Sequence, residues 1–395
     1  MGIQCPIKTI NPFDTRACAW NIAKDCTSPV TALQIATILI PDDPGPNVFF
    51  SNAARHLLTG VLIALHKTCP GAWTFRDVVL AMKSRGRLEQ ILGSILETRD
   101  LLEYFVEERT AANILSTAWS KMAPYEPIAA AWSHAKETIS LQDWAMGNYI
   151  LVLGNDEACR EALDAVNAII FKRVTELLLS QSESSTRRTW VFLDEVREAG
   201  KLGGLSRLLT QGRSKGVSVC LTFAAIEGLI DAYGEEGAKE IVGQCNNKAL
   251  LRSEGDTIAQ WESDTLGAEE KLEYPETKGS ERGQTISVTE ELVKRESVLT
   301  SQFMTLPPTD PANGLSGYYL SPEVGAYFSV ISGEALAKSL LSRNAMVADF
   351  LPVPEAYQYL TPWTKDDLDR LRLGSVPARL RILDMKQPPK KKTGE

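Results

Sequence analysis

Only three histidines occur in the 395 residues, and no two cysteines are spaced as Cys-x-x-Cys, so there is little from which a zinc site would be assembled. His56, His66 and His134 share no spacing with one another or with carboxylates. The seven cysteines (5, 18, 26, 69, 159, 220 and 245) are odd in number and scattered, which argues against a disulfide framework and for reduced thiols. No apolar run is long enough to cross a bilayer. The best candidate, Leu57 to Leu65, is interrupted by Thr59 and ends at His66 and Lys67. The N-terminus also lacks the basic, apolar and small-residue succession of a secretory leader, because Pro6, Lys8 and Asn11 break it; a cytoplasmic chain is expected. Positive charge is not in excess either. The net charge is −8, so any contact with nucleic acid has to be local or shared among subunits. The one concentrated basic run, Lys390-Lys391-Lys392, reads as a solvated tail.

What is present is an ordinary globular composition, 44% hydrophobic and 23% charged, over a length that suits two domains or one domain carrying an insertion. Ile7 to Ile10 reads as a strand closed by Asn11-Pro12. Helical spacing runs from Val30 to Leu39, and Pro41, Pro44 and Pro46 then mark a border. From Asn47 to Met122 the pattern is almost wholly helical. Leu57, Leu58, Val61, Leu62 and Leu65 form one apolar stripe, and Thr74 is placed to cap a helix beginning near Val78. Beyond this stretch the character changes. Tyr149 to Leu153, Trp190 to Leu193, Val217 to Thr222 and Ala249 to Leu251 are short apolar runs separated by helical segments, the alternation that builds a parallel sheet with helices on both faces. The first strand has no partner in the helical region, so it is expected to join this sheet, with the helical region inserted into it. The expected division is 1–42 and 138–346 for the α/β domain, 43–137 for the all-α insertion and 347–395 for a wrapping tail. A polar arm is expected over 269–289 and a hairpin over 314–331.

The sharpest chemical feature is Trp190-Val191-Phe192-Leu193-Asp194-Glu195, an apolar strand ending in two adjacent carboxylates at the edge where α/β sheets bind ligands. In phosphoryl-transfer enzymes the Asp of such a strand holds Mg²⁺, and a neighbouring Glu orients and deprotonates the attacking water. The plainer alternative is an acidic start to a helix, favoured by the helix dipole. Specificity comes from the residues C-terminal to this pair: Gly203-Gly204, a helix with Leu205, Leu208 and Leu209, and then Gln211-Gly212-Arg213-Ser214-Lys215-Gly216 leading into the next strand. A metal-dependent nuclease would need further converging carboxylates or histidines, and the sequence offers no candidates.

The segment FLDEVREAGKLGGLSRLLTQGRSKGVSV resembles the TraD/TrwB-type type IV coupling proteins, as do INPFDTRACAWN (Ile10 to Asn21), DAYGEEGAKEIVGQCNN (Asp231 to Asn247) and LTPWTKDDLDRL near the C-terminus. The resemblance implies a RecA-like P-loop NTPase sheet with an inserted all-α domain. It also implies a hexameric ATPase that uses ATP and Mg²⁺ to move DNA into a type IV secretion channel at the inner membrane, in contact with a relaxase and its relaxosome. Carried over by position, Asp194 would be the Mg²⁺ ligand, Glu195 the catalytic base and Arg213 an arginine finger reaching a neighbouring subunit's nucleotide. Two departures stand beside the match. The pattern G-x-x-x-x-G-K-[ST] occurs nowhere in the chain, since Gly200-Lys201 is followed by Leu202, and the membrane anchor and phosphate loop are expected upstream of Ile10. Relatives carry a glutamine near the γ-phosphate after the third strand, where this chain has Thr222, able to donate one hydrogen bond to a nucleotide. Two readings stay open: a DNA-translocating motor whose phosphate loop is encoded elsewhere, or a non-catalytic module that docks DNA or the relaxosome.

Overall fold

The computed structural model describes residues 5–43, 45, 48–273, 276–277, 287–288, 291–339 and 351–374. It divides into two compact units. One comprises Met1–Thr186, Leu202–Gly204 and Ala348–Glu395, and the other Arg187–Lys201 and Leu205–Val347.

In the first unit the N-terminal strand finds its partner far along the chain. β1 (Ile7–Ile10) and β2 (Ala19–Trp20) are followed by α1 (Ile22–Asp25), α2 (Pro29–Leu39), α3 (Val48–Thr68), α4 (Phe75–Lys83), α5 (Arg85–Leu92), α6 (Glu108–Met122) and α7 (Glu126–Ser133). The chain then returns as β3 (Thr138–Ile139), α8 (Leu141–Met146), β4 (Ile150–Leu153) and α9 (Arg160–Ser180). β1 lies parallel to β4 with Ile7 opposite Ile150, and β2 lies parallel to β3. These two pairs close the helical excursion like a stem, as the unpartnered first strand led one to expect. Gly154 ends β4 where any side chain is excluded, because a Cβ there would fall 2.5 Å from that of Asn11 in the Asn-Pro turn.

The helices stack because their apolar stripes are continuous. On α3 all five residues of the expected stripe are buried, and Thr74 caps α4 in a reciprocal box with Asp77. The expectation that no run is long enough to cross a bilayer is corrected by α3, which is long and apolar enough by length and composition alone, although more than half of its most apolar stretch is buried inside this unit. It serves as the central core helix.

The described part of the C-terminal segment, residues 351–374, straps the unit together. It begins beside the N-terminal turn, where the Thr15 amide donates to the Leu351 carbonyl and the Val353 amide to that of Phe13. It continues past α7, where Tyr357 stacks on His134 with ring centroids 4.0 Å apart, and ends in α15 (Lys365–Arg370, numbered after the helices of the second unit) at α4.

The second unit carries β5 (Thr189–Leu193), α10 (Leu205–Gln211), β6 (Val217–Leu221), α11 (Ile226–Gln244), β7 (Lys248–Leu250) and α12 (Asp256–Leu266). β8 (Ala268–Glu273), β9 (Glu276–Thr277), β10 (Ser287–Val288), β11 (Glu291–Glu296), α13 (Thr300–Met304), β12 (Leu315–Ser321), β13 (Gly325–Ile331) and α14 (Gly333–Ser339) come after them. β5 and β6 are parallel, with Leu193 opposite Leu221. The fourth expected strand departs from expectation. β7 pairs antiparallel with β12 of the hairpin, through Leu250 opposite Tyr318. The register brings Leu250 into a core with Ala259 and Phe303, to which Tyr318 adds its ring 5.0 Å from that of Phe303. A three-residue strand gains its burial from the hairpin, and strand alternation alone gives no hint of that direction. The polar arm also contains more structure than its composition suggests, since β8 and β11 form a six-residue antiparallel ladder. The remainder of the arm, residues 274–275, 278–286 and 289, lies outside the described residues.

Candidate functional site

The site is built on the C-terminal ends of the parallel pair β5 and β6. Because Leu193 and Leu221 are register partners, the next residues, Asp194 and Thr222, leave the ladder side by side. The Thr222 amide donates to the Leu193 carbonyl at 2.9 Å, and the Val196 amide donates to the Thr222 carbonyl at 2.9 Å. Between these bonds the chain turns sharply at Glu195, whose φ of +46° lies in the left-handed region that side-chain-bearing residues rarely enter. The Thr222 hydroxyl occupies the inside of this turn. It donates to Asp194 Oδ1 at 2.7 Å and accepts the Glu195 amide at 2.8 Å. The Glu195 carboxylate is held in turn by the Ala224 amide, 3.3 Å from Oε1. Asp194 is solvent-exposed, and its Oδ2 accepts no hydrogen bond from any described residue.

Of the residues singled out in the sequence, the structure therefore brings Asp194, Glu195 and Thr222 together. Arg213 lies elsewhere. It sits in the 3₁₀ turn Gly212–Lys215 that enters the N-terminal end of β6, so the five-residue strand separates it from the acidic pair. That end closes tightly: Gly216 has φ +77°, and a Cβ there would stand 2.5 Å from the Arg187 carbonyl oxygen. The Arg213 side chain is exposed and makes no hydrogen bond or ion pair with a described residue. So placed, the guanidinium stands at the opposite end of β6 from the acidic pair of its own chain. Sequence reading placed Thr222 by its position after the third strand but missed its two bonds to the acidic turn; the register of the two apolar runs was the available signal. It also missed the Ala224 amide, for which no side-chain pattern exists.

Among the described residues no three His, Cys, Asp or Glu side chains converge as a protein-only metal cage. A single carboxylate with one open oxygen does suit Mg²⁺, which keeps waters and binds through one or two carboxylates together with substrate phosphates. For phosphates, the chain holds no G-x-x-x-x-G-K-[ST] loop.

Parallel strands delivering adjacent carboxylates at their C-terminal ends, combined with a helical domain inserted after the first strand, define a RecA-like α/β fold. The chain belongs to the family described as the type IV secretion-system coupling protein DNA-binding domain, whose model matches residues 7–322. Among curated proteins it is similar to the coupling protein TraD of Escherichia coli (strain K12), 24% identical over 276 residues that cover 68% of this chain. The matched region spans 38% of the length of that relative. Among solved structures it is similar to the bacterial conjugative coupling protein TrwBdeltaN70 in its unbound monoclinic form (18% identity, TM-score 0.63, 82% of this chain and 73% of that one). It is likewise similar to the plasmid coupling protein TrwB in complex with ADP and Mg²⁺ (19% identity, TM-score 0.61, 82% and 74%).

Proposed function

We propose that this chain works within a conjugative DNA-transfer motor, as the part of a type IV coupling protein that supplies the metal-binding and water-activating side of an ATP site. The observation that carries this reading is the Asp194-Glu195 turn at the end of β5, clamped by Thr222, within a chain matched over residues 7–322 by the coupling-protein family. In this reading Asp194 Oδ2 holds Mg²⁺. The metal, when bound, neutralises charge on the transferring phosphoryl group. Glu195 orients the attacking water and takes its proton. Arg213, at the far end of β6, acts as an arginine finger on the nucleotide of a neighbouring subunit, which requires a ring, and a homo-hexamer is the form proposed. The complex with ADP and Mg²⁺ recorded for TrwB supports the choice of ligand. The further partners are DNA, a relaxase with its relaxosome, and the secretion channel, with the chain at the cytoplasmic face of the inner membrane.

DNA binding tests the reading on the isolated chain. With a net charge of −8, contact depends on local Lys and Arg clusters meeting phosphates, and each contact releases counterions. Affinity for DNA is expected to be modest and to fall by about a hundredfold between roughly 50 and 200 mM salt, as about four phosphate contacts require. Binding measured by fluorescence anisotropy that changes less than about twofold over that range would contradict a protein that tracks the DNA backbone.

A further inference from the structure

The geometry points to Thr222 as a positioning residue that sets the acidic pair in its working shape, one step removed from the nucleotide. It rests on the proposed function for the roles of Asp194 and Glu195. Its own basis is separate, and lies in how the turn is held.

Three observations converge. First, Glu195 has a left-handed backbone at φ +46° although it is not glycine, and such a conformation persists only where its surroundings over-determine it. Second, the Val196 amide occupies the Thr222 carbonyl at 2.9 Å, and the Glu195 amide goes to the Thr222 hydroxyl, which accepts it at 2.8 Å. Third, the proton of that same hydroxyl goes to Asp194 Oδ1 at 2.7 Å. One hydroxyl thus both donates and accepts, using its only proton. It fixes one oxygen of Asp194 and leaves the other, Oδ2, turned free for a cation. By holding the Glu195 amide it also stabilises the left-handed turn that carries the Glu195 carboxylate to the Ala224 amide. An amide side chain at position 222 would offer its donor and acceptor on different atoms further from the backbone. A threonine hydroxyl, on the register partner of Asp194, reaches both groups at once.

The test compares Thr222→Val, which keeps the shape and removes the hydroxyl, with Thr222→Ser, which keeps the hydroxyl and removes the methyl. Amide hydrogen exchange of Glu195 in the intact chain is the first readout. Thr222→Val is expected to accelerate it by about tenfold or more, with Thr222→Ser within about threefold of wild type. DNA transfer by cells carrying each variant in place of the native gene is the second, with a fall of about tenfold or more for Val and rescue by Ser. A purely packing role predicts the reverse order, Ser damaging and Val silent, and that result overturns the inference. Equal exchange of Glu195 in Val and wild type overturns it as well. Glu195→Gln, assayed in parallel, separates the two ideas. If Glu195→Gln leaves transfer intact, the functional reading of the site falls, while the exchange data still decide what Thr222 holds. If Glu195→Gln stops transfer and Thr222→Val changes neither readout, the positioning role alone falls.

Discussion

Asp77→Ala is expected to lower the stability of the helical unit by about 3–5 kcal/mol and to release the C-terminal strap. Asp77 is fully buried, 0% exposed, at the start of α4. Its carboxylate serves three partners. Trp363 Nε1 donates to Oδ1 at 2.7 Å, the Arg370 guanidinium grips both oxygens at 2.9 and 3.1 Å, and Oδ2 closes the cap on Thr74 at 2.8 Å. Beside it Arg76 donates to the carbonyls of Thr361 and Pro362 and to Asp367. Truncation to alanine leaves a half-buried guanidinium and an indole N–H without their acceptor and opens the α4 cap, each a named source of large destabilisation. Two measurements check it. The unfolding transition of the helical unit in urea should move down by the stated amount, and limited proteolysis should begin within 351–374. A change below about 1 kcal/mol with undiminished protection of that segment would show that the strap is held elsewhere.

Glu262→Gln is expected to act in the opposite direction, stabilising the second unit at alkaline pH. Glu262 is 6% exposed on α12, and burial raises its carboxyl from 4.5 to about 7, against the lowering effect of the Ser253 hydroxyl that donates to Oε2 at 2.8 Å. A carboxyl whose folded pKa is raised binds its proton more tightly when folded. Its contribution is complete below the unfolded value of 4.5 and is lost as the pH climbs through about 7. The wild-type unit should therefore lose about 3 kcal/mol from this residue between roughly pH 4.5 and 8. Glutamine keeps the acceptor for Ser253 and never ionises, so the variant should unfold with a nearly flat profile over that interval. At pH 8 it should be the more stable of the two, at pH 4.5 about equal, and a gap of constant size at both pH values would refute the assignment.

Much of this architecture was legible in the residues because it rests on local patterns. The stripe along α3, the Thr74 cap, the run ending in Asp194-Glu195 and the Gly-rich hairpin each declare themselves within a dozen residues, and each is found where the spacing puts it. That β1 joins a strand of the later α/β half was also inferred, from a strand that had no neighbour to pair with; that its partner is β4 was not. The features that escaped depend on contacts between distant segments. The direction of β7 is decided by β12, some seventy residues later. The grip of the tail on Asp77 links residues nearly three hundred apart. The left-handed turn at Glu195 is carried by a residue type that gives no warning of it, and the hydroxyl that sustains it belongs to the neighbouring strand.

Motor function depends, in this proposal, on the carboxylate of Glu195 acting on water at the end of β5. The most direct measurement is conjugative DNA transfer from cells in which Glu195→Gln replaces the native residue, at matched protein level and with DNA binding by the purified chain unchanged. The amide keeps the size and the contact with Ala224 but cannot take a proton, and transfer is predicted to fall by about a hundredfold or more. Transfer at the wild-type frequency would contradict the proposed role.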